Sequence, residues 1–328
     1  MNYRKLGKTG FEISEISLGT WQVGGRWGEP FSKKTAEGII NRAIDSGINF
    51  IDTADVYGNG LSEKMVGEVV RQRSERIYVA SKIGRRFNPH NNEAYIPKAL
   101  RLFVEQSLRN TGLETLDLIQ LHCPPSEVYD RPEIFGLFEQ LKEEGKILNM
   151  GVSVEKVEEA QKALLYDNVC TVQIIFNMFR HKPADTFFAE AAGKDVGIIV
   201  RVPLASGLLT GLYSKKTEFG KEDHRNFNRD GAMFDKGETF SGVDYESGLQ
   251  AVEELRVLFS GKENLASLAL RWILMFEQVS CVIPGASKDT QLVSNLAALD
   301  EKPFSPEQME GVEDIYNRLI KPQVNQLW

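Results

Sequence analysis

Apolar residues in this chain form short runs rich in β-branched side chains, and each run is followed by a segment with helical periodicity. The pattern predicts eight strands, at residues 16–18, 49–52, 77–81, 116–121, 147–152, 171–175, 197–202 and 279–283. It predicts eight helices, at residues 35–46, 62–71, 97–111, 133–144, 155–165, 185–194, 265–276 and 290–298. Strands that are apolar throughout and alternate with helices are typical of a parallel sheet covered by helices.

Eight such units predict a closed (β/α)8 TIM barrel, with residues 1–328 forming one domain. The alternative is an open doubly wound sheet, but Gly7 and Gly10 precede the first strand instead of following it in a dinucleotide-binding turn. We expect these glycines to turn an N-terminal β-hairpin that joins residues 3–6 to 12–13 at the barrel bottom. Residues 213–250 follow the seventh strand without a predicted element, and a loop of that length is usually functional.

Composition and charge narrow the class of protein. The 328 residues include 39 Lys and Arg against 46 Asp and Glu, and the net charge of −7 disfavours nucleic acid or an anionic membrane as a partner. Three cysteines, Cys123, Cys170 and Cys281, are too few for a disulfide framework and suggest a reducing compartment. The chain opens without an apolar leader and has no long apolar run. We therefore expect a cytoplasmic protein with no membrane segment.

The residues with the most chemical potential follow the second, third and fourth strands. Asp52, Lys82 and His122 lie at strand ends, and Tyr57 lies in the loop after Asp52. In a parallel barrel these positions meet at the rim that carries active sites. Asp52 would orient Lys82, whose charge would lower the pKa of Tyr57, and a neutral His122 would polarise a carbonyl. Taken singly, each residue has a structural explanation, such as a strand-end ion pair or a packing anchor. Their common rim favours catalysis.

A second pattern lies after strands seven and eight, where barrels often bind phosphate. Ser206 and Gly207 offer backbone amides, and Gly285 is followed by Ser287 and Lys288 before the last barrel helix. The structural alternative is that Ser287 simply caps that helix. The long loop at 213–250 favours a clamp over a diphosphate ligand.

Seven short motifs occur in order along the chain: DTADVYG at 52–58, ASK at 80–82, DLIQLH at 117–122, GKI at 145–147, GVS at 151–153, PLASGLLTG at 203–211 and IPGA at 283–286. Together they resemble the aldo-keto reductase superfamily over about residues 3–299, in family order. The likeness is closest to bacterial members that also resemble potassium-channel β subunits.

The resemblance implies an NADPH-dependent carbonyl reductase in which Asp52, Tyr57, Lys82 and His122 form the catalytic tetrad and Tyr57 donates the proton. It implies cofactor contacts from Ser153 and Gln173 to the nicotinamide carboxamide, from Pro203, Leu204, Ser206, Gly207 and Leu208 to the pyrophosphate, and from Gly285, Ser287, Lys288, Gln291 and Asn295 to the adenosine-phosphate end. Trp21 and Trp27 are expected to line the substrate pocket. Arg201 stands where many members place an aromatic ring against the nicotinamide. A guanidinium plane can stack on that ring, and it would set a positive charge beside it.

The expected partner is a small-molecule carbonyl substrate, with NADPH or NADP⁺ as cofactor and NADH as an alternative because Gln291 stands where some members carry Arg. No metal is expected, and the sequence gives no oligomeric state. Two other functions stay open. One is a cofactor-sensing regulatory subunit with slow turnover. The other is a phosphate-binding isomerase using Lys82 or His122 without nicotinamide, which would leave Tyr57 unused.

Overall fold

The computed structural model describes residues 1–23, 30–260 and 264–328. Its strands are β1 (Tyr3–Lys5), β2 (Glu12–Ser14), β3 (Leu18–Gly19), β4 (Phe50–Asp52), β5 (Tyr78–Ile83), β6 (Leu116–His122), β7 (Ile147–Ser153), β8 (Val169–Ile175), β9 (Gly197–Arg201) and β10 (Val279–Val282). Its α-helices are α1 (Lys33–Asp45), α2 (Leu61–Val70), α3 (Pro97–Thr111), α4 (Pro132–Glu143), α5 (Val157–Ala163), α6 (Phe187–Gly193), α7 (His224–Phe227), α8 (Tyr245–Leu258), α9 (Leu265–Leu274), α10 (Asp289–Leu296), α11 (Pro306–Ile315) and α12 (Lys321–Val324).

Strands β3 to β10 form one parallel sheet in which every strand lies beside its neighbours in sequence. The first and last strands meet through parallel bridges from Ile16 to Val282 and from Gly19 to Gly285. The amide of Ser17 donates to the carbonyl of Val282 at 2.9 Å across this seam. The predicted (β/α)8 barrel is confirmed, since a doubly wound sheet would reverse its strand order at a switch point.

The predicted N-terminal hairpin is also present, with β1 and β2 antiparallel and Tyr3 opposite Ser14. Its apolar side chains Leu6 and Ile13 are fully buried, in one cluster with Phe50 and Leu118 from the barrel strands. The hairpin therefore closes one end of the barrel interior with apolar packing. The chemistry is left to the opposite end, where the strands finish. Among the described residues, no helix has the length and apolar character needed to cross a membrane.

Two sequence expectations about helices were wrong. The stretch 213–250 includes the short helix α7 and the start of α8, whose buried face consists of Gly248, Ala251, Val252 and Leu255. Such a face gives a weak apolar signal because two of its four residues are small. The C-terminal helices α11 and α12 were not predicted either, although α11 packs against α8.

Helix α2 begins at Leu61, one residue before the predicted start, and Ser62 is not its N-cap. The N-cap is Gly60, whose φ of 86° is left-handed, and it makes no side-chain cap. Ser62 instead lies buried within the first turn, with its hydroxyl 2.8 Å from that of Thr20 and 2.9 Å from that of Thr53. Ser62 thereby ties the helix that follows Tyr57 to the ends of two barrel strands.

Helix α2 lies unusually close to α3, and Gly67 makes this possible. A Cβ built on Gly67 would lie 1.8 Å from the carbonyl oxygen of Thr111, at the end of α3. This oxygen is a backbone atom, so it cannot move aside as the end of a flexible side chain can. The approach of these helices therefore fixes where α2 begins, and with it the turn that carries Tyr57.

We predict that Gly67→Ala lowers the free energy of unfolding by about 1–3 kcal/mol, the usual effect of overpacking a close contact. The matched control is Gly38→Ala on the exposed face of α1, where a Cβ would meet nothing within 4 Å. That control should raise stability by roughly 0.5–1 kcal/mol through helix propensity. Urea unfolding of both variants measures the difference, and equal effects would contradict the close-approach argument.

Candidate active site

A cavity of about 1120 Å³ opens at the ends of the barrel strands and brings together most of the predicted site residues. Its lining includes Asp52, Tyr57 and His122 of the predicted tetrad and Trp21 of the predicted substrate pocket. Nine predicted cofactor residues also line it: Gln173, Arg201, Pro203, Leu204, Ser206, Gly207, Gly285, Gln291 and Asn295. Trp27 lies outside the described residues. The cavity is thus built from separate strand ends that only the barrel unites.

Lys82 lies at the centre of the tetrad and is almost fully buried. Its ammonium donates to Asp52 Oδ1, to the carbonyl oxygen of Thr53 at 2.9 Å and to Tyr57 Oη at 3.2 Å. These three acceptors use all three donors of an ammonium group. The amine therefore has a single fixed position, and the Tyr57 hydroxyl is held beside a cation.

The second oxygen of Asp52 is held by two amides that sequence reasoning did not include with the tetrad. Gln173 Nε2 donates to Asp52 Oδ2 at 2.8 Å, and Gln120 Nε2 donates to the same oxygen at 3.2 Å. Gln120 lies on β6 two residues before His122, so both side chains point to the same face of the sheet. This spacing of two residues is the feature of the sequence from which Gln120 could have been predicted as a site residue. The amide nitrogen of Gln173 is thereby engaged with the tetrad.

The electrostatics of Tyr57 correct one sequence expectation. Burial raises the pKa of Tyr57 and outweighs the opposing effect of Lys82, so that the pKa lies above its ordinary value instead of below it. For Lys82, burial works against the charge, but Asp52 and Tyr57 together raise its pKa. Tyr57 is therefore protonated and Lys82 charged at neutral pH, which is the state a proton donor needs.

His122 ends β6 and remains a neutral imidazole. Burial, followed by the positive charges of Arg85 and Lys82, moves the pKa of His122 well below its ordinary value. Its Nε2 lies 3.5 Å from Nη1 of Arg85, and its buried Nδ1 has no hydrogen-bond partner among the described residues. The Tyr57 and His122 rings meet edge to face with centroids 6.0 Å apart. A carbonyl oxygen between them would meet one hydroxyl and one neutral ring nitrogen.

Beside His122 lies a cluster of four charged groups that sequence reasoning missed, apart from Arg201. Arg201 donates to Glu155 Oε2 at 2.8 Å and lies 3.6 Å from Glu238 Oε1. Arg85 donates to Glu238 Oε1 and to Glu155 Oε1, the latter at 3.3 Å. The residues come from three separate places in the chain, after β5, after β7, and from the end of β9 with its loop, so no local motif marks them. Because two carboxylates offset its charge, Arg201 does not present the isolated cation that the sequence led us to expect.

Contacts of Arg201 also affect the expected stacking on a nicotinamide. Its Nη2 donates to the carbonyl oxygen of Val154 at 3.0 Å and lies 3.5 Å from the sulfur of Cys123. Burial raises the pKa of the Cys123 thiol and keeps it protonated. The guanidinium is therefore fixed by several partners while still lining the cavity.

The turn after β9 has a conformation that most residues avoid. Val202, Ala205, Ser206 and Gly207 have φ angles of 50°, 46°, 54° and 97°. Left-handed backbone is an outlier for a β-branched residue, and such outliers cluster at ligand-binding sites. Ser206 is expected at the pyrophosphate, and its hydroxyl already donates to the carbonyl oxygen of Glu238 and accepts from the amide of Phe240, both at 3.0 Å. The turn thus holds down the long loop above the cavity.

Four predicted cofactor residues do not contribute to the cavity lining: Ser153, Leu208, Ser287 and Lys288. Ser153 and Leu208 are buried in the wall. The Ser287 hydroxyl donates to Gln291 Oε1 at 3.0 Å, so it does not cap α10 in the way considered from the sequence. Lys288 is the N-cap position of α10 and is exposed, three residues before Gln291, which lines the cavity.

The long loop supplies part of the opposite wall. His224, which sequence reasoning missed, lies in the short helix α7 and meets the ring of Trp21 edge-on at 4.7 Å. Phe234 lies 6.4 Å from His224 and 5.8 Å from the guanidinium of Arg85, measured to the ring centroid. These contacts make an aromatic wall that runs from the charged cluster to Trp21.

Known proteins are similar to this chain in sequence and architecture over nearly their whole length. The Aldo/keto reductase family model matches residues 15–317. The chain is 29% identical to the uncharacterized oxidoreductase YqkF of Bacillus subtilis over 96% of this chain and 98% of that protein. It is 27% identical to a probable voltage-gated potassium channel subunit beta of Oryza sativa subsp. japonica, over 96% of each. The glycerol dehydrogenase AKR11B4 of Gluconobacter oxydans superposes with a TM-score of 0.78 at 28% identity, over 97% of this chain and 96% of that one.

These similarities confirm the resemblance read from the sequence. Enzymes of this family are oxidoreductases that use nicotinamide cofactors. The matched range of residues 15–317 includes the segment from Asp52 to His122. The chain therefore belongs to the aldo/keto reductase family of oxidoreductases.

Proposed function

We propose that this enzyme reduces a small aldehyde or ketone with NADPH and that Tyr57 delivers the proton to the carbonyl oxygen. The observation that carries the proposal is the Tyr57 hydroxyl 3.2 Å from a buried, ion-paired Lys82 at the wall of a large cavity. Proton donation by a positioned side chain is worth about 10²–10⁴ in rate. The same residues serve the reverse oxidation of an alcohol.

The residues present fit a nicotinamide dinucleotide. Gln173 lines the cavity beside the tetrad, the turn at Ser206 and Gly207 follows β9, and Gln291 and Asn295 lie on α10. These three groups of polar residues would meet the carboxamide, the diphosphate and the adenosine of the cofactor. When bound, the cofactor supplies the hydride to the carbonyl carbon.

Each tetrad residue has a separate role in the proposed reaction. Tyr57 donates its proton as negative charge develops on the substrate oxygen, and Lys82 stabilises the phenolate that remains. Asp52 fixes Lys82, while Gln120 and Gln173 fix Asp52. Neutral His122 donates to the same oxygen without carrying a charge of its own.

Preference for NADPH is supported by an exposed lysine at the start of α10, a helix whose Gln291 and Asn295 line the cavity. Lys288 is exposed and makes no ion pair with a described carboxylate. The arginines that line the cavity, Arg85, Arg201 and Arg225, are already paired with Glu155, Glu238 or Asp223. A 2′-phosphate seeks a cation, and Lys288 offers one next to the first turn of α10. No specific observation favours the regulatory-subunit or isomerase alternatives, and the isomerase leaves Tyr57 unused.

Replacing Tyr57 by Phe should lower kcat for carbonyl reduction by about 10²–10⁴-fold, because the proton donor is lost. The dissociation constant for NADPH should change little, since the ring remains. A panel of small aldehydes and ketones, followed by NADPH absorbance, gives kcat, and fluorescence titration gives binding. Turnover at the wild-type rate would refute the assignment of Tyr57.

The pH dependence should follow the protonation of Tyr57. Because its pKa is raised above the ordinary value of 10.0, kcat/KM for reduction should decline only in strongly alkaline solution. Oxidation of an alcohol needs the phenolate, so its rate should rise with pH over the same range. Initial rates in both directions test the opposite signs. Parallel profiles in the two directions would exclude Tyr57 as the titrating group.

Lys288→Ala should lower kcat/KM with NADPH by up to about tenfold and leave the value with NADH nearly unchanged, since only NADPH carries the extra phosphate. Lys98→Ala is the matched control, because Lys98 is an exposed lysine on α3. Equal losses with both cofactors would show that Lys288 does not contact the 2′-phosphate.

A further inference from the structure

An ion pair between Arg85 and Glu238 lies in the cavity wall next to the tetrad. The Arg85 side chain is 21% exposed and that of Glu238 is 16% exposed, and both line the cavity. The pair therefore offers guanidinium donors and carboxylate acceptors to a bound molecule. The mechanism proposed above uses neither side chain.

The pair lies close to where the substrate atom next to the carbonyl carbon would bind. Arg85 Nη1 lies 3.5 Å from Nε2 of His122, the imidazole that contacts the carbonyl oxygen in the proposed reaction. That spacing is on the scale of two oxygens on adjacent carbons. A hydroxyl on the neighbouring carbon would reach Arg85 as an acceptor and Glu238 as a donor, which satisfies both functions of a hydroxyl group.

Farther from His122 the wall becomes aromatic. The ring of Phe234 lies 5.8 Å from the Arg85 guanidinium, and the ring of His224 lies 6.4 Å beyond it, with Trp21 next in line at 4.7 Å. These ring faces suit the carbon–hydrogen surface of a short chain. Polar recognition is thus concentrated on the atom next to the carbonyl.

The charge balance argues against an anionic substrate at this end. Two arginines, Arg85 and Arg201, meet two glutamates, Glu155 and Glu238, and each guanidinium is already bonded to a carboxylate. A phosphate or carboxylate would have to displace an existing partner and would meet the remaining carboxylate. An uncharged hydroxyl adds hydrogen bonds without breaking an ion pair.

We propose that the Arg85–Glu238 pair binds the hydroxyl group adjacent to the reacting carbonyl, so that the preferred substrates are small, uncharged α-hydroxy aldehydes and ketones. The inference rests on the proposed carbonyl reduction and names the substrate class of that site. A site that holds buried polar groups for a substrate hydroxyl discriminates strongly against analogues that lack it, because those groups are left unpaired.

A graded series of aldehydes with NADPH tests the inference on the unaltered enzyme. Propanal, 2-hydroxypropanal, glyceraldehyde and glyceraldehyde 3-phosphate share one carbon skeleton and differ in hydroxylation and charge. We expect kcat/KM to rise by about 10–100-fold from propanal to 2-hydroxypropanal, the effect of one hydrogen bond to a charged pair. Glyceraldehyde should gain little more, and its phosphate should be poorer than glyceraldehyde.

A matched pair of variants assigns the effect to residues. In Glu238→Leu the ratio of kcat/KM for 2-hydroxypropanal over propanal should fall by about tenfold or more. Glu246→Leu is the control, since Glu246 is exposed and pairs only with exposed Lys215 at 3.4 Å among the described residues. It should keep the wild-type ratio. NADPH titration of both variants checks that the site still forms.

The outcomes separate the two levels of the proposal. Equal kcat/KM for propanal and 2-hydroxypropanal in the wild-type enzyme would overturn the hydroxyl preference while leaving carbonyl reduction in place. A preference for glyceraldehyde 3-phosphate over glyceraldehyde would overturn the uncharged class. No turnover of any aldehyde in the presence of bound NADPH would overturn the proposed function, and the inference with it.

Discussion

The buried ion pair between Lys82 and Asp52 is the interaction on which the rest of the site depends. Both side chains are almost inaccessible to solvent. Removing two charges from water costs several kcal/mol per ion, and their attraction offsets this only when the remaining donors and acceptors are satisfied. Here Thr53, Gln120 and Gln173 supply them. The pair is therefore better explained by its effect on Tyr57 than by any gain in stability.

A second array of charged residues lies beside His122. Glu155 and Glu238 share the positive charges of Arg85 and Arg201 and leave little net charge near His122. Burial raises the pKa of Glu155 to about 7, whereas the arginines, opposing the effect of burial, hold the pKa of Glu238 well below its ordinary value. The two arrays serve different purposes. In the proposed reaction the first would position the proton of Tyr57, and the second surrounds the neutral His122 imidazole with nearly balanced charges.

The sequence predicts the barrel and the tetrad because both are encoded by local patterns. Apolar runs mark the strands, and Asp52 and His122 occupy the last positions of β4 and β6. The charged cluster is not predictable in this way, since Glu238 reaches Arg85 from a loop 153 residues later in the chain. The sign of the pKa shift at Tyr57 was also wrong, because proximity to Lys82 was inferable but the depth of burial was not.

The long loop after β9 is held by polar contacts at both its inner and outer sides. Outside, the indole of Trp328 donates to Asp235 at 2.9 Å, and the guanidinium of Arg180 lies 4.0 Å from the indole ring. Trp328 packs so close to Gly242 that a Cβ there would lie 2.2 Å from its ring. Inside, Glu238 pairs with the charged cluster. The loop also buries Phe240 and Val243 in the core, so apolar packing and these directional bonds hold it together. The directional bonds make its position depend on charge state in a way that the apolar barrel does not. In the proposed reaction, cofactor access and substrate recognition would therefore share one electrostatic support.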